Sequence, residues 1–412
     1  MFFFKFADDF RRYTRRPLSI QSSELLLVPL LCYYVTAILV TLPRTLLIRL
    51  IILPITLFYA FRASTQLDLA AGYGNGRLSY LNQDLVVRQY FLRLISWHSL
   101  TGRQLAMTFL AIRAIMWTFQ QIPYQHIYRS RNVSPTYSQI LLDAADLSFN
   151  ARGIGWSHLP STPTESRPPL TFFLHTLVSL LFHVVLLDVT HRFVQLFGPD
   201  TISSPVGGSI FDPSLPPFHR YICSTLITLI AGLMIYAAIQ TLYQSFVLFS
   251  LVFLRHSPSQ WPPLFDHPWF ATSLSQFWSR RWHQLFKDIF VSFGGNTLAL
   301  LMGRVGRVLG AFFVSGAFHA LGLWGMGRGG EFLKVIGFFM IMAVGILFEY
   351  SWKKITGSRV DGFFGRVWTM VWLLGWGNIL VDAWCTKGMV GSVFFPDGFR
   401  PSDYILSKWI KS

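Results

Sequence analysis

The chain has 412 residues, 52% hydrophobic and 13% charged, with 35 Lys and Arg against 19 Asp and Glu. Soluble domains carry about a quarter charged residues, so this composition, with a mean hydropathy of +0.44, excludes a disordered chain and argues against a soluble enzyme. The formal charge of +16 is distributed through the gaps between apolar runs and forms no nucleic-acid-binding module; in a membrane protein it reads as cytoplasmic loop charge attracted to anionic headgroups.

In chain order, residues 1–24 read as a cytosolic, basic, membrane-surface segment rather than a cleaved signal peptide, because no small-residue cleavage site follows a short apolar core. Residues 25–150 hold the first membrane helices, at 25–43, at 45–61 around Arg49 and at 104–122 around Arg113, with an amphipathic, interfacial stretch at 85–98. Residues 151–412 form the core region, with uncharged runs at 168–187, 221–254, 289–303, 308–327, 335–348 and 367–381. The expected architecture is all-α and polytopic, with about eight transmembrane helices of about 20 residues. Lacking a central Gly or Pro turn, 221–254 is expected to be a single helix. The positive-inside rule puts the N-terminus, 62–167 and 255–288 in the cytosol and the loop at 191–219 in the lumen. Cys32, Cys223 and Cys385 stand far apart, so neither a disulfide framework nor a metal site is expected.

Two stretches carry the chemistry. In WPPLFDHPWFATSLSQFWSRRWHQLFKD, residues 261–288, Ser273 followed by Gln276 is a capping-box signature, which predicts one helix from Ser273 onward. On that helix Arg280, His283 and Lys287 share a face, beside an indole pair, Trp278 and Trp282. The plain reading is an interfacial helix with Trp at headgroup level; the sharper one is a site for a phosphorylated, partly apolar ligand. In VLGAFFVSGAFHALGLWGMG, residues 308–327, the ionisable side chain is His319, near mid-membrane, and Ala311, Ser315 and Gly322 share its face. An intramembrane His is functional by default, with an interhelical hydrogen bond as the structural alternative.

The segment FWSRRWH, Phe277–His283, resembles the wax-synthase branch of the membrane-bound O-acyltransferase superfamily and aligns with the FYxDWWN pattern of its sterol and diacylglycerol acyltransferases, departing from it at Arg280 and Arg281. The SGxxH at Ser315–His319 occupies the place of that family's active-site histidine, and RGIGW at 152–156 is similar to fungal members. The resemblance implies direct acyl transfer from coenzyme A to a hydroxyl at the endoplasmic reticulum membrane, with no acyl-enzyme and no tightly bound cofactor. It gives His319 the role of general base, and it lets His283 position the thioester or the hydroxyl. Arg280, Arg281, Lys287, Trp278 and Trp282 then hold the acyl-CoA, and Ser315, Gly322 and Asn296 line the acceptor. Both imidazoles are expected to face one chamber. Fungal proteins of this kind acetylate terpenoids and meroterpenoids, which points to acetyl-CoA and a lipophilic alcohol as substrates; long-chain wax ester or sterol ester synthesis is the alternative within the family. A transporter is the alternative from another class, against which the sequence shows no internal symmetry.

His283–Asp288 and His183–Asp188 both spell H-x4-D, and FPDG stands at 395–398. His175, His183 and His191 recur at steps of eight, which turns each about 80° from the last and suits no single metal. His175, His183, Asp188 and His191 are assigned to packing, headgroup contacts and interhelical hydrogen bonds, while Asn296, Arg359 and Asp361 fit either helix packing or site lining.

Overall fold

The computed structural model describes residues 16–17, 22–68, 104–127, 136–157, 167–326, 329–392 and 400–404; the segment expected at 85–98 and the FPDG sequence lie outside these. Among the described residues the fold is all-α apart from a two-residue parallel pairing of Arg16–Pro17 with Leu67–Asp68 and an isolated antiparallel bridge between His126 and Trp156. Five helices are long and apolar enough to cross a membrane, Leu46–Gln66, Pro169–Leu196, Pro217–Phe253, Lys287–Gly325 and Phe332–Thr356, and two shorter apolar ones span Glu24–Val40 and Gln104–Phe119. The described residues group into two compact units: those of Met1–Val86, Ile95–Thr162 and Leu285–Phe332, and those of Pro163–Gln284 and Leu333–Ser412.

In the first unit, α1 (Glu24–Val40) and α2 (Leu46–Gln66) join through a tight turn in which the Thr45 hydroxyl donates to the Leu39 carbonyl at 2.6 Å. Ala37, Ala60 and Ala63 are buried and let the backbones approach closely, as small residues do between membrane helices. Tyr33 stacks on Trp117 of α3 (Gln104–Phe119) with ring centroids 4.7 Å apart. The two arginines flagged in these runs are both buried. Arg49 donates to the Trp117 carbonyl in the last turn of α3, and Arg113 donates to Asn150, the C-terminal cap of α4 (Tyr137–Phe149), at 3.2 Å. Each guanidinium meets the negative end of a helix, where terminal carbonyls lack intrahelical partners. Arg113 also lies 4.5 Å from the centroid of Trp117.

The stretch Lys287–Gly325 is a helical hairpin. Its first limb is α8 (Lys287–Ile289), prolonged as a π-helix over Phe290–Gly295 and returning to α geometry from Asn296, the start of α9 (Asn296–Gly325). At Gly303, with φ 55° and ψ −134°, the chain reverses within α9, a conformation that needs the absence of a side chain. The limbs then pack through glycines: a Cβ on Gly295 would lie 2.9 Å from the Arg307 carbonyl oxygen, and one on Gly310 would lie 2.8 Å from the Gly294 carbonyl carbon.

In the second unit, α5 (Pro169–Leu196) packs on α6 (Pro217–Phe253), which runs unbroken for 37 residues, the single helix that the sequence predicts. α10 (Phe332–Thr356) and α11 (Gly362–Cys385) complete the bundle. Polar pairs join the helices as the membrane interior demands. Thr228 donates to Asn378 at 2.6 Å, and Lys334 pairs with Asp382 at 3.0 Å. The fully buried Asp188 accepts from Arg400 at 2.9 Å and from the Ser402 amide at 2.7 Å, and His191 donates to the Val390 carbonyl. These contacts engage Asp188, the acid of one H-x4-D pair, and His191, one of the recurring histidines, in hydrogen bonds between segments.

Candidate functional site

The hairpin fixes the surroundings of His319 within the first unit. Its limbs pair so that Phe318 packs on Phe286 at 4.9 Å and His319 faces Phe290 at 6.4 Å, which puts the imidazole at the open end of the hairpin, far from the Gly303 reversal. The imidazole Nδ1 lies 2.7 Å from the Ser315 carbonyl, one turn back on the same helix. A carbonyl only accepts, so Nδ1 carries the proton in the neutral ring and Nε2 holds the lone pair. The side chain is half-buried, and its aromatic surroundings make a low-dielectric setting for proton transfer.

In the second unit the stretch after α6 folds back along the bundle. Tyr243 donates to the Pro262 carbonyl at 2.6 Å, and Tyr236, halfway along α6, packs on Phe265 at 4.7 Å and on Trp269 at 5.4 Å. Phe265 in turn meets Trp282 at 5.1 Å and His283 at 5.9 Å. Irregular backbone at the depth of a membrane helix persists only where protein buries it or where it lines a water-filled cavity. FWSRRWH is thus linked to the middle of a membrane helix through Phe265.

The continuous helix expected from Ser273 through Lys287 does not form. Ser273 does cap a helix, accepting from the Gln276 amide at 3.0 Å, but α7 (Leu274–Gln276) passes at once into a π-helix, Phe277–Arg281, and Trp282 is extended with ψ 161°. Two contacts account for the break. The Arg281 carbonyl, which would accept from residue 285 in a helix, accepts instead from the Asp266 amide at 3.0 Å, and Trp282 stacks on Phe277 at 5.3 Å. Arg280, His283 and Lys287 therefore do not line one helical face. Lys287 opens the hairpin in the first unit and is exposed; Arg280, Arg281, Trp278, Trp282 and His283 lie in the second.

Asp266 organises the two arginines. Its carboxylate accepts from Arg280 Nε at 2.8 Å, and its backbone carbonyl accepts from Arg281 Nη1 at 2.9 Å. Partial burial pushes the Asp266 carboxyl up, but the His267 hydrogen bond and the two guanidiniums pull harder, leaving it below the usual carboxylate range. Trp278 packs on Phe339 at 6.0 Å. At the other end of the turn Glu349 of α10 accepts from the Leu274 and Ser275 amides at 2.6 and 2.9 Å. Asp361 caps α11 through the Gly362 amide, and hydrogen bonds from Thr272 and Gly362 hold its carboxyl below the usual range.

The remaining expected site residues fall in the first unit. Ser315 is buried and supplies the carbonyl that orients His319; Gly322 faces Leu105, whose Cδ2 would lie 2.8 Å from an added Cβ; Asn296 is exposed on the first limb. Asp266 and Glu349 were not singled out by the sequence analysis. Glu349 had a visible signal, a lone acid against the apolar run 335–348; Asp266 had none beyond its place between prolines. Among the described residues no three His, Cys, Asp or Glu side chains gather as a metal set.

The family described as membrane bound O-acyl transferase matches residues 261–341, which include both FWSRRWH and His319. The acetyltransferase eriL of Hericium erinaceus is 30% identical over 282 residues, covering 61% of this chain and 69% of that protein. The acetyltransferase spyB of Aspergillus fumigatus is 27% identical over 36% of this chain and 29% of that protein. A long-chain-alcohol O-fatty-acyltransferase of Simmondsia chinensis is 31% identical over 24% of this chain and 30% of that protein. The chain thus spans about two thirds of the first of these relatives and under a third of the other two.

Proposed function

This chain belongs to the membrane-bound O-acyltransferase family, and from that premise we propose that it transfers an acetyl group from acetyl-CoA to a hydroxyl of a lipophilic, terpenoid-like acceptor at the endoplasmic reticulum membrane. It is a multi-pass membrane acyltransferase. The observation that carries the mechanistic reading is the bond from His319 Nδ1 to the Ser315 carbonyl at 2.7 Å, because it leaves Nε2 as the proton acceptor.

In this mechanism the acceptor oxygen attacks the thioester carbonyl carbon while its proton passes to His319 Nε2. The tetrahedral intermediate collapses with cleavage of the C–S bond, and the departing thiolate takes the proton back from the imidazolium. Ester and free coenzyme A leave, the ring returns to its starting tautomer, and no acyl-enzyme forms. Arg280 and Arg281, held in place by Asp266, and Lys287 serve the donor's phosphates, with Trp278 and Trp282 beside its apolar portions. His283 positions the thioester or the hydroxyl, and Ser315, Gly322 and Asn296 belong to the acceptor side. The acetyl donor is supported by the names of the fungal relatives.

The test uses the purified protein in lipid nanodiscs with acetyl-CoA and palmitoyl-CoA, each against a panel of hydroxylated terpenoids, sterols and long-chain alcohols, with esters read by mass spectrometry. Acetyl esters of terpenoid alcohols are expected, and His319→Ala is expected to reduce their formation by about 10² to 10⁴-fold at equal protein level. Exclusive transfer of palmitoyl to long-chain alcohols would overturn the donor and acceptor assignment in favour of the Simmondsia-type reaction. A His319→Ala protein with wild-type turnover would remove the base.

A further inference from the structure

We infer that Glu349 is a positioning residue for the FWSRRWH turn, setting from α10 where Trp278, Arg280, Arg281 and His283 stand; this rests on the donor-binding reading above.

Glu349 is 7% exposed, and a buried carboxylate is costly unless its oxygens are satisfied. Its carboxylate accepts from N–H groups: the Leu274 and Ser275 amides at 2.6 and 2.9 Å and Trp368 Nε1 at 3.0 Å. The two amides open α7, where helix donors lack partners of their own. Simple capping does not require this arrangement, because Ser273 already caps the same turn in cis through the Gln276 amide. What Glu349 adds is attachment to a different helix.

The attachment matters because the element it holds is weak. Three α-helical residues followed by five in a π-helix cannot sustain themselves in isolation. One turn before Glu349 on α10, Gly345 provides the seat: a Cβ there would lie 2.5 Å from Leu274 Cδ1 and 2.8 Å from Trp372 Cε2, and Leu274 is fully buried. Gly365 of α11 likewise lies close against the Thr272 carbonyl. The start of the turn is thereby indexed to two long helices and its end to Asp266, through the Arg280 side chain and the Arg281 carbonyl. Between these two carboxylates the chain has little freedom, and the cations assigned to the donor inherit that placement.

The experiment compares Glu349→Gln and Trp368→Phe with wild type in nanodiscs, measuring KM for acetyl-CoA and for the acceptor together with kcat. Glutamine offers one acceptor oxygen and turns an amino group toward an amide, so the tether loses an anchor. A roughly ten-fold rise in donor KM with the acceptor KM within two-fold of wild type is expected for Glu349→Gln, and a smaller change of the same kind for Trp368→Phe. In the double variant with Arg280→Gln the effects should fall short of additive, since both act through one turn. An unchanged donor KM, or an equal change in both KM values, overturns the positioning role. If Glu349→Gln does not accumulate in the membrane, Trp368→Phe decides alone by the same criterion. Wild-type protein that transfers no acyl group from any donor refutes the functional reading instead, so the two failures are told apart.

Discussion

Gly294→Ala perturbs the candidate base without touching it. Gly294 lies where the two limbs of the hairpin cross, and an added Cβ would stand 2.9 Å from the Gly310 carbonyl carbon, closer to its oxygen, and 2.5 Å from Val314 Cγ2. Ordinary contact begins near 3.4 Å, and the Gly310 atoms are backbone with no rotamer to yield, so the limbs must part by about 1 Å. Overpacking of this kind costs about 1 to 3 kcal/mol. The catalytic consequence is larger than the structural one. The same limbs hold Phe290 and Phe286 against His319 and Phe318, and a displacement of about 1 Å at a reacting group costs about 10²-fold in rate. The assay is kcat at saturating donor and acceptor, with folded protein quantified by size exclusion in detergent. Gly232→Ala in α6 and Gly375→Ala in α11, where an added Cβ meets nothing within 4 Å, serve as controls and should be neutral or gain up to about 1 kcal/mol from helix propensity. A Gly294→Ala protein with kcat within two-fold of wild type would refute the coupling between limb packing and the imidazole.

His319→Gln should be as inactive as His319→Ala, because an amide can hold the Ser315 carbonyl but cannot accept a proton; recovery of turnover by Gln in the nanodisc assay would show that the residue only positions. Arg280→Gln should raise the acetyl-CoA KM by about ten-fold, the equivalent of a charge-assisted hydrogen bond, with the acceptor KM unchanged. An unchanged donor KM there would argue that Arg280 serves Asp266 or lipid alone. Asp266→Asn tests the electrostatics by pH. The folded carboxyl lies below its unfolded value, so its contribution is present above the ordinary carboxylate pKa of about 3.9 and is lost as pH falls through the folded value. The Tm difference between wild type and Asp266→Asn should be flat from pH 5 to 8 and shrink toward pH 3; a difference that grows on acidification refutes that sign.

The apolar runs were legible because hydrocarbon tolerates little else, and the runs at 168–187 and 221–254 match α5 and α6 to within one cap residue at the end where they overrun. Ser273 was readable as a cap because its chemistry is local. The break at Trp282 was not, since it depends on the Arg281 carbonyl meeting the Asp266 amide, fifteen residues upstream. Helical periodicity assumes the ladder continues, and nothing in the residues 277–287 says otherwise. Arg49 and Arg113 were visible as anomalies, but their resolution is tertiary, at the carboxyl ends of other helices. His319 could be picked out as an isolated imidazole, whereas its tautomer depends on where the Ser315 carbonyl stands.

The reversal at Gly303 also governs the parity of the chain's passage through the bilayer. From residue 287 to residue 302 the first limb is about 24 Å long at helical rise, short of the roughly 30 Å hydrocarbon thickness. Whether this limb dips or crosses, the second returns the chain to the face it left, so the flanks of Lys287–Gly325 share one compartment. A topology count that scored those 39 residues as a single span would place the two flanks of the hairpin in opposite compartments.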